Sequence, residues 1–108
     1  MPLFVVIGID DWPASVARRD ALRPQHLAYV RKDHSAIRLV GPMLEDDGAI
    51  SGSLYICEAE SVADIRAWLA DEPYANGEVY RELIIRGFEV RKNDLPLQAI
   101  GMVTPAPP

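Results

Sequence analysis

His26 and the acidic pair Asp71-Glu72 are the residues of this sequence best suited to acid–base chemistry. An imidazole exchanges a proton near neutral pH, and a carboxylate held against it orients the ring and stabilises its charged form. Asp71 and Glu72 stand directly before Pro73 at the predicted end of a helix, where carboxylates oppose the helix dipole. The plainer reading of that pair is a solvated helix end stopped by a proline. For His26 the plainer reading is an ordinary surface or hydrogen-bonded histidine, since residue type alone specifies no role. Spacing along the chain does not settle whether either acid reaches the ring.

The other polar groups carry weaker signals. His34 follows His26 by eight residues, which on a continuous helix is about 12 Å along the axis, too far to share one metal ion. A structural or solvent role is expected for it. No metal-ligand spacing of the His-Glu-x-x-His kind occurs, so no metal is expected. Asp10-Asp11 and Glu45-Asp46-Asp47 lack the register of a calcium loop and read as solvated turns. Ser53 has no nucleophile-elbow sequence around it. Cys57 is the single cysteine, which permits neither an internal disulfide nor a cysteine metal cluster, and on a strand it reads as a small core residue. No glycine pattern suits a dinucleotide or a phosphate, so no cofactor is expected.

Length and charge restrict the classes further. The chain has 108 residues, 49% of them apolar and 25% charged, which is the composition of one globular domain. Eleven basic against sixteen acidic residues leave a net charge of −5. Duplex nucleic acid needs a basic face to displace counterions, and here only the short pairs Arg18-Arg19 and Arg91-Lys92 occur, so no nucleic-acid partner is expected. The apolar run from Leu3 to Ile9 is far short of the roughly 20 residues of a spanning helix, and it lacks the flanks of a signal peptide. The expected location is the cytoplasm, with no membrane partner.

The elements that must position these groups follow from local pattern. Leu3 to Ile9 is rich in β-branched residues and reads as a strand that is apolar on both faces, with Leu3, Val5, Ile7 and Ile9 on one and Phe4 and Val6 on the other. A strand of that kind is covered on both sides. Residues 14–34 read as helical, with Pro24 either kinking the segment or opening a second helix that carries His26 near its start. Ile37 to Val40 reads as a short strand closed by Gly41-Pro42, and Ser53 to Ala59 as another with Ser53, Tyr55 and Cys57 on one face. Ser61-Val62-Ala63-Asp64 resembles a capping box opening a helix whose apolar face is Val62, Ile65 and Leu69. A loop or short helical turn follows Pro73, and Leu83 to Val90 reads as the last strand. The folded domain is expected over residues 1–93, with 94–108 as a proline-rich tail. The order β-α-β-β-α-β predicts an α+β, ferredoxin-like fold: a four-stranded antiparallel sheet with both helices on one face. Its open face is expected to be covered by a second copy of the chain.

Several short motifs, taken together, carry a resemblance. Arg23-Pro24-Gln25-His26-Leu27, Gly41-Pro42-Met43, Gly52-Ser53, and Glu72-Pro73-Tyr74 with Gly77 and Val79-Tyr80 resemble, in order and spacing, the YciI-like (YCII) family, from about Leu3 to about Lys92. The resemblance implies a ferredoxin-like fold assembled as a dimeric α+β barrel. It also implies a histidine–aspartate pair in a small pocket, and a relation to a dehydrochlorinase of a chlorinated hydroxyhydroquinone. The histidine corresponds to His26, and the family's Asp-Pro corresponds to Glu72-Pro73, with Asp71 as the neighbouring alternative. On that resemblance Arg23, Ser53 and Tyr74 are the expected substrate-binding residues, Arg23 because its fork suits a carboxylate or phenolate. The expected function is cofactor-independent acid–base chemistry, an isomerisation or elimination, on a small molecule such as a phenol. A non-catalytic ligand-binding or interaction module is the alternative.

Overall fold

The computed structural model describes residues 1–32 and 35–95. Seven elements follow in order: β1 (Leu3–Asp10), α1 (Ala14–Val30), β2 (Ile37–Leu44), β3 (Ile50–Glu58), α2 (Val62–Ala70), α3 (Pro73–Asn76) and β4 (Tyr80–Phe88). The strands form one sheet in the order β2-β3-β1-β4, antiparallel throughout. This is the expected ferredoxin-like arrangement, with β1 and β3 central and β2 and β4 at the edges.

Alternation along β1 separates the two faces. Phe4, Val6, Gly8 and Asp10 are buried, while Leu3, Val5, Ile7 and Ile9 are half-buried. Cross-strand pairing carries the division across the sheet, because residues directly opposite share a face. Val6 lies opposite Tyr55 and Ile85, whereas Ile7 lies opposite Leu54 and Ile84. The core lies on the Val6 side and contains Val6, Tyr55, Cys57, Ile65, Leu69, Tyr74 and Val79. The other face carries Val5, Ile7, Leu54, Ile56 and Ile84 half-buried, with Phe88 exposed at its edge.

Four elements depart from the sequence expectation: β3 begins at Ile50 rather than Ser53, and the other three differ for local reasons. Pro24 neither ends α1 nor opens a new helix: it sits inside one helix running from Ala14 to Val30. Its missing N–H orphans the carbonyl of Asp20, and both residues face solvent, where water can take that bond. His26 is therefore in the body of α1, not at a helix start. Gly41-Pro42 does not close β2, which continues to Leu44. On an edge strand, proline's lack of a donor costs little. Finally, β4 begins at Tyr80 rather than Leu83, because a register shift at Ile9/Asp10 lets Tyr80 pair with Asp10. His34 and nearly all of the proline-rich segment fall outside the described residues. Among those described, no helix is long and apolar enough to cross a membrane.

The start of α2 is as the sequence indicates: Ser61 is the N-cap and accepts from the Asp64 N–H. Tyr29 ties α1 to α2, donating to the carbonyl of Trp68 at 2.8 Å while its ring packs on the indole. Gly8 has a packing role in β1. A Cβ there would fall 2.7 Å from the Tyr80 ring, closer than any carbon contact allows. Gly8→Ala therefore forces Tyr80 out of place and should lower stability by about 1–3 kcal/mol, read as a drop in the urea midpoint. An unchanged midpoint would show that Tyr80 has room to move.

Candidate active site

The site is built on an unusual helical stripe. Ser15, Arg19, Leu22 and His26 recur at helical spacing, and Ser15 and His26 are the two buried residues of α1. A stripe that faces a sheet is ordinarily apolar. Here three of its four residues are polar, so each needs a partner in the core or a role at its edge.

The partner of His26 comes from the turn between α2 and α3. His26 Nδ1 lies 3.1 Å from Glu72 Oε2, and Glu72 is fully buried. Glu72 is the N-cap of the four-residue α3, with Oε2 accepting from the Tyr74 N–H at 2.7 Å. Its other oxygen, Oε1, accepts from the Tyr55 hydroxyl. That hydroxyl lies 2.6 Å from the Tyr80 hydroxyl. The two rings meet edge to face. The chain of polar groups therefore runs from His26 through Glu72 and Tyr55 to Tyr80, across α1, α3, β3 and β4.

A second cluster flanks the first. Arg19 donates twice to Asp10, at 2.7 and 2.8 Å, and once to Ser53 Oγ at 2.9 Å. Its guanidinium carbon lies 5.0 Å from the Tyr74 ring centroid and 5.8 Å from that of Tyr80. Tyr74 in turn stacks on His26, with centroids 3.8 Å apart and planes 6° from parallel. The imidazole is thus fixed by a hydrogen bond in its plane and an aromatic ring on its face.

Electrostatics follow from burial. Desolvation lifts the Tyr55 phenol far above its ordinary range, and the neighbouring Tyr80 and Glu72 raise it further. Burial likewise pushes Tyr80 up to about 12, against smaller lowering contributions from hydrogen bonds with Ser53 and Tyr55. Tyr74 is also raised, by burial first, although Arg19 and Arg23 oppose the rise. All three phenols keep their protons at neutral pH and serve as donors. For Arg19, burial works against the charge, but the hydrogen bond and charge of Asp10 outweigh it.

His26, Arg23, Ser53 and Tyr74 line one cleft of about 390 Å³ between α1 and the β2–β3 edge, with Leu27, Val40 and Ile50 among its apolar walls. Nδ1 is occupied by Glu72, which leaves Nε2 for a molecule in that cleft. Arg23 is exposed at the rim. Asp71 does not join the group: it is the exposed C-cap of α2, and the bond to His26 comes from its neighbour. Two sequence readings need correction. Glu72 is not a solvated helix end, because α3 folds it inward. Asp10 is not a solvated turn residue but is 4% exposed and paired with Arg19. The solvated-turn reading does hold for residues 45–47, which are exposed. The sequence assigns no site role to Tyr55, Tyr80 or Arg19: Tyr55 shares a strand face with Ser53, Tyr80 stands in the Val79-Tyr80 motif, and Arg19 is half of a basic pair. Among the described residues no group of three or more His, Cys, Asp or Glu is placed to hold a metal ion.

Fold and site define a small ferredoxin-like protein that holds a histidine–carboxylate pair in a cleft beside its first helix. Residues 3–89 match the model of the YCII-related domain, and the chain belongs to that family. Protein YciI of Escherichia coli is 34% identical over 95 residues, covering 81% of this chain and 97% of that protein. A Haemophilus influenzae protein described as uncharacterized is 28% identical with the same coverage. Among solved structures, 5-chloro-2-hydroxyhydroquinone dehydrochlorinase from Burkholderia phenoliruptrix, in complex with 2,5-dihydroxybenzoquinone, matches with a TM-score of 0.70 at 25% identity. That match covers 81% of this chain and 93% of the other.

The raised phenols link stability to pH. An unfolded tyrosine loses its proton near its ordinary value of 10.0, whereas folded Tyr80 keeps it to about 12. The unfolded state then binds fewer protons, so stability falls with rising pH. The contribution is complete below pH 10 and is lost as pH rises through about 12. Urea midpoints measured from pH 8 upward should decline over that window, and Tyr80→Phe should flatten the decline. A midpoint independent of pH would contradict the buried-phenol geometry.

Proposed function

We propose that the chain is an enzyme that moves protons on a small, ring-sized organic molecule by elimination or isomerisation, without a cofactor. The observation that supports this most is the 3.1 Å pairing of His26 Nδ1 with fully buried Glu72 beside a cleft that His26 lines. A base oriented by a second group, next to a ligand-sized space, is the arrangement general base catalysis needs. A similar structure is a dehydrochlorinase holding a dihydroxybenzoquinone, which favours phenols and elimination.

In the elimination, Nε2 of His26 takes a proton from the substrate. The electron pair of the broken bond forms a new π bond, and the leaving group departs with the electrons of its own bond. HX is lost: the proton rests on His26 and X leaves as an anion. Glu72 offsets the charge on the imidazolium and holds the ring through Nδ1. In an isomerisation the same nitrogen returns the proton to a different atom. Ser53 and Tyr74 offer polar contacts along the cleft, and Arg23 a charge at its rim. Asp71 has no part.

The helix-free face supports a homodimer. Val5, Ile7, Leu54, Ile56, Ile84 and Phe88 share that face, and a sheet face so rich in apolar side chains suits a second copy of the chain. A cytoplasmic setting accords with the single, buried thiol.

Two measurements test these readings. On chlorinated hydroxyhydroquinones, His26→Asn should lower kcat by about 100- to 10,000-fold, and Glu72→Gln should lower it too, with unfolding midpoints measured alongside. Turnover by His26→Asn equal to that of the parent protein would sink the catalytic assignment and leave a ligand-binding module. Sedimentation at micromolar concentration should give a dimer that Ile7→Glu splits; a monomer alone would exclude the proposed pairing.

A further inference from the structure

The three donors to Glu72 differ in what else they do. The Tyr74 amide is fixed by the start of α3. His26 Nδ1 belongs to a ring that lines the cleft. The Tyr55 hydroxyl is neither backbone nor open to a ligand. Tyr55 is fully buried on β3 and lines neither cleft beside α1. Whatever it does to the reacting nitrogen of His26, it does through the carboxylate.

Counting hydrogens gives this contact a direction. A hydroxyl has one hydrogen to donate. Tyr55 donates its own to Glu72 Oε1, so in its 2.6 Å contact with the Tyr80 hydroxyl it accepts, and Tyr80 is the donor. The two phenols are therefore aligned, Tyr80 to Tyr55 to Glu72, and each bond strengthens the next. Burial keeps both phenols protonated well above neutrality, so the donation persists across the range in which an imidazole titrates.

A carboxylate that accepts such a bond has less charge to offer its other partners. Without it, Glu72 would fix the proton of the His26–Glu72 pair more firmly, and a protonated imidazole is no base. The remaining ionisable groups around the pair do not replace it. Tyr74 is stacked on the imidazole, and Tyr29 on α1 feels the charge of Glu72 from a distance. Arg19 is paired with Asp10, Arg23 lies in the cleft lining, and Asp71 is exposed at the end of α2. Among the described residues, Tyr55 alone donates to Oε1.

We propose that Tyr55, backed by Tyr80, is a positioning residue that limits how firmly Glu72 holds the proton of His26 and so keeps Nε2 available as a base. From the proposed function this takes only the role of His26 as base. The test needs no substrate, so the two readings can fail separately.

Titration of the imidazole nitrogens by nuclear magnetic resonance tests it. The chain has two histidines, and the signals lost in His26→Asn assign those of His26. Tyr55→Phe should move the His26 midpoint to higher pH, with proton affinity up by about 3- to 10-fold, part of the worth of one hydrogen bond to a charged group. Tyr80→Phe, one bond further from Glu72, should move it the same way by less. In the Glu72→Gln background, Tyr55→Phe should leave the midpoint where it stands, because the effect passes through the carboxylate. A merely structural role lowers the unfolding midpoints of these variants without this ordered shift. If Tyr55→Phe does not fold, Tyr80→Phe decides alone. A His26 midpoint unmoved or lowered in either variant, or a shift that survives in Glu72→Gln, would overturn the proposal.

Discussion

A carboxylate with no access to water sits where three elements of this fold meet. Removing such a group from solvent costs several kcal/mol unless hydrogen bonds replace the lost water. Glu72 meets that condition with three donors: the Tyr74 amide and His26 Nδ1 on one oxygen, and the Tyr55 hydroxyl on the other. Each donor belongs to a different part of the chain, on α3, α1 and β3. The requirement to satisfy one buried anion therefore ties the turn after α2 to the long helix and to a central strand. The imidazole that would do chemistry is one of the groups serving this structural need. On the proposed function, catalysis and stability would share the same atoms.

The remaining polar groups follow from that demand. Tyr55 can donate to Glu72 only if its hydroxyl is brought to the right depth, and Tyr80 supports it from the neighbouring side. Tyr80 in turn needs the space left by Gly8. The register shift at Ile9/Asp10 sets Tyr80 against Asp10, which the alternation of β1 places on the core face, where Arg19 neutralises it. Arg19 then bridges to Ser53 and lies near Tyr74. What begins as one buried acid ends as a connected polar layer between helix and sheet. Such layers are costly when incomplete and rigid when complete. Among the described residues, Ser15 Oγ is the one buried side-chain atom left without a partner.

Local pattern carried the fold, and tertiary contact carried the site. The period-two burial of β1, the cap at Ser61 and the break at Pro73 were legible because each depends on a few adjacent residues. The β-α-β-β-α-β order followed from them. Pro24 and Gly41-Pro42 misled because their cost depends on exposure and edge position, which no local window contains. His26 drew notice as a residue type, but its partner lies 46 residues away. Only the inward fold of α3 shows that Glu72, and not Asp71, reaches it. Asp10 and Arg19 were hidden by the same limit. In sequence they are a turn acid and half of a basic pair. In space they neutralise each other beneath the cleft.

Glutamate at position 72 is more than a tolerated version of a shorter acid. An aspartate could cap α3 through the Tyr74 amide, since that is an ordinary N-cap bond. Its oxygens would end about one C–C bond, roughly 1.5 Å, closer to the backbone. From there an acid bonded to the Tyr74 amide would fall short of the Tyr55 hydroxyl or of Nδ1 unless α3 moved inward. Inward movement is opposed at Gly77, where even a Cβ would lie 2.3 Å from Leu22 of α1, so the packing is already tight. The extra methylene of Glu72 and the close seat of Gly77 on Leu22 are therefore two parts of one arrangement. The helix sets the distance, and the longer side chain spans it to reach the ring, the amide and the phenol at once.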